Sequence, residues 1–155
     1  MTALSIAFPY VADRFGGSTA SSLLLAQALK EAGHRVHILT HGEGGRVTDE
    51  AATLGLAVTR LPPLSGLPGY ARPDRFRLEQ VMAFGPARRA VTALDLDIVH
   101  TNDLTMLRAW AAPTLAARRK LIAHWRSNFR ESWSVKAALQ ASARVVACGS
   151  SPTRR

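Results

Sequence analysis

Cysteine, metal-ligand spacing and long apolar runs are scarce or missing in this chain. Cys148 is the only cysteine among 155 residues, so no internal disulfide can form, and its apolar neighbours favour a buried thiol. The five histidines follow no H-E-x-x-H spacing and a lone cysteine excludes C-x-x-C, so we predict neither a metal site nor a metal cofactor. No apolar run reaches about 18 residues and no basic-then-apolar leader opens the chain, so we expect a cytoplasmic protein.

Three signatures of common enzyme classes are also absent. The dinucleotide fingerprint G-x-G-x-x-G, the Walker loop and the G-x-S-x-G nucleophile elbow do not occur. What is present is a chain with 47% hydrophobic and 20% charged residues, which is the composition of a folded globular domain. At 155 residues the chain is long enough for one domain with a substantial core.

The charge is strongly one-sided. A formal net charge of +9 favours polyanions, anionic lipid surfaces or phosphorylated substrates as partners. Within the stretch 72–89, arginines flank apolar side chains, which is the pattern of a basic amphipathic helix on an anionic membrane. A solvated basic surface is the alternative interpretation of this stretch. Nucleic acid is not an expected partner, because no aromatic platform or recognition-helix pattern accompanies the charge.

Strand and helix patterns alternate along the whole chain. Short apolar or alternating runs predict six strands, at 3–8, 34–40, 56–61, 97–101, 120–124 and 144–148. Helices are predicted between them, with a kink or split at Gly85-Pro86 and a break near Pro113. This order predicts an α/β fold, a Rossmann-like parallel sheet of about six strands with helices on both faces. Ligands then bind at the carboxyl ends of the strands.

The first predicted helix has a clear start and end. We expect Ser18 to cap its N-terminus and Gly33 to end it in a left-handed conformation. The residues predicted to form its apolar face are Leu24, Leu25, Ala28, Leu29 and Ala32.

A glycine pair, Gly16 and Gly17, stands between the first strand and this helix. Glycines allow the backbone to approach an anion closely, and the N-terminus of the helix offers unpaired N–H groups and a partial positive charge. The segment therefore predicts the start of a site for a phosphorylated ligand, with an ordinary turn as the alternative.

Polar residues follow the fourth and fifth predicted strands at the same edge of the sheet. His100 and Asn102 could hydrogen-bond sugar hydroxyls or a phosphate, although Asn102 or Asp103 could instead cap the next helix. His124 could donate a hydrogen bond or move a proton, and Arg126 could neutralise a phosphate. A structural role for a lone histidine at a strand end is the alternative for His124.

Asp95-Leu96-Asp97 resembles the metal-binding D-x-D of some sugar-nucleotide enzymes. It precedes the fourth predicted strand and so lies at the amino edge of the sheet, away from the expected cleft. We therefore interpret it as a loop.

The order and spacing of several segments resemble the N-terminal domain of glycosyltransferase family 4, which has the GT-B fold. The segments that carry this resemblance are 16–17, 33–36, 97–102, 121–124, 142–147 and 150–151. The resemblance implies transfer of a sugar from a nucleotide-sugar donor with retention of configuration, usually without a metal. Electrostatic stabilisation of the leaving diphosphate is then more important than a protein nucleophile.

The resemblance also implies roles for individual residues. Gly16 and Gly17 would lie near the donor diphosphate and sugar, with Arg126 as a further donor contact. His124 would lie close to the reacting sugar and is the expected catalytic residue. His100 and Asn102 would lie near the acceptor cleft. The stretch 72–89 would bring the enzyme to a lipid-linked acceptor at the inner face of the membrane.

The chain also departs from the family pattern. Family enzymes are about twice as long, and the second domain, which holds the nucleotide and a paired-glutamate motif, is missing. We therefore expect residues 1–150 to be the acceptor-side domain and residues 151–155 a truncated connection, inactive alone. A stand-alone binding module, a half completed by a partner chain, and a GT-B-shaped sugar-nucleotide epimerase are the alternatives.

Overall fold

The computed structural model describes residues 2–11, 15–64, 73–125 and 133–147, and for 73–82, Trp125, 133–135 and Ala147 the backbone alone. The strands are β1 (Ser5–Val11), β2 (Arg35–His41), β3 (Ala57–Leu61), β4 (Ile98–Thr101), β5 (Lys120–Trp125) and β6 (Arg144–Ala147). The helices are α1 (Gly17–Glu31), α2 (Arg46–Thr53), α3 (Pro73–Ala93), α4 (Leu104–Ala116) and α5 (Trp133–Ala141).

The six strands form one parallel sheet in the order β3-β2-β1-β4-β5-β6. The predicted Rossmann-like fold is therefore confirmed. The order reverses direction between β1 and β4, and it is at such a switch point that crossovers leave a crevice outside the carboxyl ends of the strands. The carboxyl ends of β1 and β4 both lie at this crevice.

Helices pack on both faces of the sheet, as the sequence predicts. One core lies between the sheet and α3, α4 and α5, with Trp110, Leu121 and Val99 fully buried. The other lies between the sheet and α1 and α2, around Phe8 and Ile38. Since alternate side chains of a strand point to opposite faces, β1, β2 and β4 contribute to both cores.

The predicted buried face of α1 is wrong at four of its five residues, and of the five only Leu29 packs against the core. Leu24 is 59% and Leu25 39% exposed, and Ala28 and Ala32 are also exposed. The helix instead buries four other residues: Thr19, Ser22, Leu23 and Ala26. Tyr10 explains the rotation, because its hydroxyl forms a 2.5 Å hydrogen bond with the hydroxyl of Ser22 and so lets a polar side chain face the sheet.

The helix starts were only partly predicted. Gly33 has φ +89 and ends α1 as expected, but the N-cap is Gly16 and not Ser18, so α1 begins earlier than the sequence indicated. The predicted split at Gly85-Pro86 and the predicted break near Pro113 do not occur, since α3 continues through Pro86 and α4 through Pro113. A proline inside a helix costs about 3 kcal/mol, and the burial of Pro113 beside Trp110 offsets that cost in α4.

The two aspartates of the D-x-D segment lie at the amino edge of the sheet, as predicted, and both have structural contacts. Asp97 accepts a hydrogen bond of 2.8 Å from the backbone N–H of Ser5. Asp95, which has φ 44, forms an ion pair of 2.8 Å with Arg119. The segment is thus the connection between α3 and β4, and it is not part of the carboxyl edge of the sheet, where ligands are expected.

Of the helices that the structure describes, none is both long and apolar enough to cross a membrane.

Candidate functional site

The N-terminus of α1 opens at the carboxyl edge of the sheet without a side-chain cap. Its N-cap is Gly16, in an extended conformation (φ −158, ψ −178), and no acidic residue occupies the first turn. The first helical hydrogen bond runs from the N–H of Ala20 to the carbonyl of Gly16, 2.9 Å away. The N–H groups of Gly17 and Ser18 therefore have no acceptor within the helix, and the helix dipole adds a partial positive charge.

Neither glycine is required by its own backbone or by internal packing. Neither Gly16 nor Gly17 has a positive φ, and a Cβ at either position would meet no described atom within 4 Å. Gly33 differs, because its φ of +89 itself favours glycine. What the pair provides is bare backbone facing the crevice, which suits close approach of an anion.

His100 and His124 lie side by side on the face of the sheet that α1 covers. Their ring centroids are 5.6 Å apart, and His100 also meets the ring of Phe8 edge-on at 4.8 Å. His100 is 5% exposed, whereas His124, one strand further along, is half-buried. Of the two imidazoles, His124 is thus the more exposed.

Asn102 and Asp103 have different roles, which settles the alternative left open by the sequence. Asp103 is the N-cap of α4, and its carboxylate accepts a hydrogen bond of 2.8 Å from the N–H of Met106. Asn102 is 2% exposed and points to α1, where its Nδ2 donates to the carbonyl of Ser18 at 3.1 Å. The structure therefore brings Gly16, Gly17 and Asn102 to one corner of the crevice.

Arg46, at the start of α2, is a neighbour of this corner that the sequence analysis missed. Its guanidinium lies over the ring of Phe15, 4.5 Å from the centroid, and 3.9 Å from the carboxylate of Glu50. Phe15 directly precedes Gly16, so the cation–π contact holds a positive charge beside the open helix end. The signal available in the sequence was an arginine placed at the first helical position after the carboxyl end of a strand.

On the opposite face of the sheet, α4 is connected to β2 by a buried polar contact. Trp110 Nε1–H donates to His41 Nε2 at 3.1 Å, which leaves His41 Nδ1 as the protonated nitrogen that donates to the carbonyl of Pro62 at 3.0 Å. Burial lowers the pKa of His41 below its ordinary value, although the hydrogen bond to Pro62 acts in the other direction. The imidazole is therefore neutral and structural.

Several predicted features fall outside the described residues. These are Arg126, Cys148, residues 151–155 and Arg72, and of residues 73–82 in the basic stretch only the backbone is described. In the described remainder of that stretch, Arg88 and Arg89 are exposed on α3 and Ala83 and Ala87 are buried. This is an amphipathic arrangement with a basic outer side, and it agrees with either interpretation of the stretch.

The chain was compared with models of protein families and with known proteins. A family model described as Glycosyltransferase Family 4 matches residues 15–155. No curated protein matches the chain.

Solved structures are similar over nearly the whole chain. A glycosyltransferase from Rickettsia africae superposes with a TM-score of 0.72 and 18% identity, over 95% of this chain and 37% of that one. MurG from Acinetobacter baumannii gives 0.66 and 13%, over 92% and 41%. HepE from Anabaena, solved with UDP and glucose, gives 0.63 and 15%, over 92% and 37%.

At these identities the likeness shows the fold, which is the Rossmann-like domain of GT-B glycosyltransferases. The chain spans only about two fifths of the length of these structures, between 37% and 41% of each.

Proposed function

The chain belongs to glycosyltransferase family 4, and on that premise we propose that it is the acceptor-side half of a retaining glycosyltransferase. The enzyme moves a sugar, of the hexosyl class, from a nucleotide-sugar donor to an acceptor. Transfer needs a second, donor-binding domain, since the chain spans 37% of the Rickettsia africae enzyme with which it shares its fold. By itself the chain binds weakly and transfers little or nothing.

The observation that carries this proposal is the open N-terminus of α1. Two glycines with no described neighbour within 4 Å of a Cβ, no side-chain cap and no acidic first turn make up an anion site at the switch point of the sheet. A nucleotide sugar presents a diphosphate to such a site. Stabilising the charge that develops on the leaving diphosphate is then the contribution of this helix to catalysis.

The histidines supply the second part of the proposal. His124 lies close to the reacting sugar and holds it by hydrogen bonds, a role supported by its half-buried imidazole at the carboxyl edge of the sheet, next to His100. His100 and Asn102 belong to the acceptor side of the crevice. Arg126 would add a phosphate contact. HepE was solved with UDP and glucose, which supports a nucleotide-sugar partner for a chain of the same fold.

A lipid-linked acceptor is the final part of the proposal. Arg88 and Arg89 lie exposed on α3, at the end of the basic stretch 72–89. Cations on an amphipathic surface attract anionic lipid, so this side of the domain would rest on the inner face of the membrane.

The diphosphate site is tested with the 155-residue chain itself. Inorganic pyrophosphate and UDP-glucose are titrated against the labelled protein, and amide signals are followed by NMR. We expect the N–H signals of Gly17 and Ser18 to shift at millimolar ligand, while that of Gly55, at the amino edge, does not. Gly17→Val should abolish the shifts without unfolding the protein, because no described atom lies within 4 Å of the added Cβ. Unchanged signals at Gly17 and Ser18 would contradict the proposal.

Transfer itself is tested in an enzyme completed with a donor-binding domain. His124→Ala should lower kcat by about a hundredfold or more, in line with the loss of a positioned polar group. The anomeric configuration of the product, read from its proton coupling, decides between retention and inversion. Wild-type rates in both His124→Ala and Gly17→Val would show that the active site lies elsewhere.

A further inference from the structure

Asn102 lies at the carboxyl end of β4, but its side chain is joined to α1, 84 positions earlier in the chain. Its Nδ2 donates to the carbonyl oxygen of Ser18 at 3.1 Å, and the residue is 2% exposed. The same carbonyl accepts a second hydrogen bond of 3.1 Å from the hydroxyl of Ser21. Two donors therefore converge on one peptide unit in the first turn of the helix.

The position of that peptide unit gives the contact its significance. A peptide bond is planar and its C=O and N–H point in opposite directions, so a donor that holds the Ser18 carbonyl also sets the direction of the Thr19 N–H. In a helix the N–H groups point toward the N-terminus, which for α1 is the open end at Gly16 and Gly17. Hydrogen bonds to the carbonyl also polarise the peptide and strengthen its N–H as a donor.

The other end of the Asn102 amide, its Oδ1, is a second observation that favours a role in ligand binding. Only an N–H donates to a carbonyl, so Nδ2 faces Ser18 and Oδ1 faces away from it. Oδ1 is buried and has no hydrogen-bond partner among the described residues. A buried amide that serves packing alone would have both ends satisfied, because an unpaired buried acceptor destabilises the folded state.

From these contacts we propose that Asn102 is a positioning residue for the diphosphate site. Acting through the Ser18 carbonyl, it fixes the first turn of α1 so that the N–H groups at the open end point at the bound anion. This role rests on the proposed function in one respect, namely that the anion bound there is the diphosphate of the donor. The connection between β4 and α1 does not depend on it.

The experiment compares three variants of the 155-residue chain. Asn102→Ala removes the amide, and Asn102→Asp keeps its shape but at neutral pH offers no donor to Ser18. Ser5→Ala is the matched control, because Ser5 is also fully buried and its hydroxyl makes a comparable bond of 3.2 Å to the carbonyl of Leu94, at the opposite edge of the sheet. Two quantities are measured, the hydrogen-exchange rate of the Ala20 amide without ligand and the dissociation constant for inorganic pyrophosphate.

If Asn102 positions the helix end, both Asn102 variants exchange the Ala20 amide about tenfold faster than wild type and bind pyrophosphate about tenfold more weakly, the effect of losing one hydrogen bond. Ser5→Ala changes neither quantity by more than about twofold, since its bond lies at the other edge.

Three results would overturn the proposal in different ways. If Asn102→Asp behaves like wild type, the donated hydrogen bond is not what matters. If both Asn102 variants match Ser5→Ala, the residue only packs. If wild type exchanges slowly at Ala20 but binds no pyrophosphate, the proposed function fails and the contact is structural alone. Circular dichroism of each variant confirms that it is folded before the comparison is made.

Discussion

Two helices start at the same edge of the sheet, and their N-cap residues share a backbone conformation but differ in side chain. The N-cap of α4 is Asp103, with φ −152 and ψ 171, and the N-cap of α1 is Gly16, with φ −158 and ψ −178. The backbone conformations are nearly the same. Only α4 closes its end with a carboxylate, which accepts from the N–H of Met106.

The two helices also differ in how they meet the sheet. α4 buries mainly apolar residues around Trp110, whereas α1 buries Leu23, Ala26 and two polar residues and leaves Leu24 59% exposed. Hydrogen bonds from Tyr10 and Asn102 add to the attachment of α1. The two helices thus pack on opposite faces of one sheet, and of these two only α1 leaves its N-terminus without a side-chain cap.

The largest expected effect tests the contrast in burial. Trp110→Ala should lower the free energy of unfolding by about 3–5 kcal/mol, because it leaves a large cavity in the core and removes the donor to His41. Leu24→Ala, on α1, should change it by less than about 0.5 kcal/mol. Urea unfolding measures both, and similar losses in the two variants would mean that Leu24 is buried in the folded protein.

Exchanging the two N-caps tests the contrast directly. Gly16→Asp should lower the affinity for pyrophosphate about tenfold, because the carboxylate takes the N–H groups and cancels the positive end of the dipole. The same variant should gain a few tenths of a kcal/mol in stability, since the backbone of Gly16 already has the conformation of a capped residue.

The reciprocal change, Asp103→Gly, is the control for that exchange. It should lose a few tenths of a kcal/mol and leave pyrophosphate binding unchanged. Titration calorimetry and urea unfolding provide the two readings. If Asp103→Gly changes the affinity for pyrophosphate and Gly16→Asp does not, the anion binds at α4 and not at α1.

The buried His41 should make the α4 side of the sheet sensitive to acid. Its native pKa is lowered from 6.5, so the unfolded chain binds a proton first, and stability falls as the pH drops from 6.5 toward the native value. Protonation would also remove the acceptor of Trp110.

Unfolding free energies measured between pH 5 and 8 should therefore rise with pH, and the slope should be smaller in His41→Gln than in His37→Gln. His37 is the comparison because burial and Arg35 also lower its pKa, but it is less buried than His41 and so contributes less to the slope. A slope in His41→Gln equal to that of wild type would remove His41 from the explanation.

The smallest expected effect concerns Arg46, which is largely exposed. Arg46→Ala should weaken pyrophosphate binding by about twofold to threefold, because an exposed charge beside the site is screened by solvent. Arg144→Ala, at an exposed arginine on the amino edge, is the matched control for the loss of one positive charge. If the two variants lose the same affinity, Arg46 acts only through the net charge of +9.

Much of the fold could be predicted because it rests on local patterns. Each strand is a short apolar run between turn residues, and Gly33 marks the end of α1 by the φ of +89 that it adopts. The prediction failed where a distant residue decides the outcome. Leu24 and Leu25 looked like core residues until Tyr10 was placed opposite Ser22, and Pro113 looked like a helix break until its burial in α4 was known.

The candidate site shows the same division. The positions of Gly16, Gly17, His100 and His124 at strand ends followed from the sequence, because parallel strands bring their carboxyl ends to one edge. Their roles remain predictions. Arg46 and the contact between Asn102 and Ser18 were not predictable, since each depends on two elements that meet only in the folded chain.

The sequence by itself thus determined the number of strands and their succession along the chain, the parallel class of the sheet and the glycine pair before α1, because each of these is indicated by local patterns in the chain. Only the tertiary structure decided which side of α1 is buried and that Asn102 holds its first turn, because hydrogen bonds across 12 and 84 positions exist only once the sheet has brought their partners together.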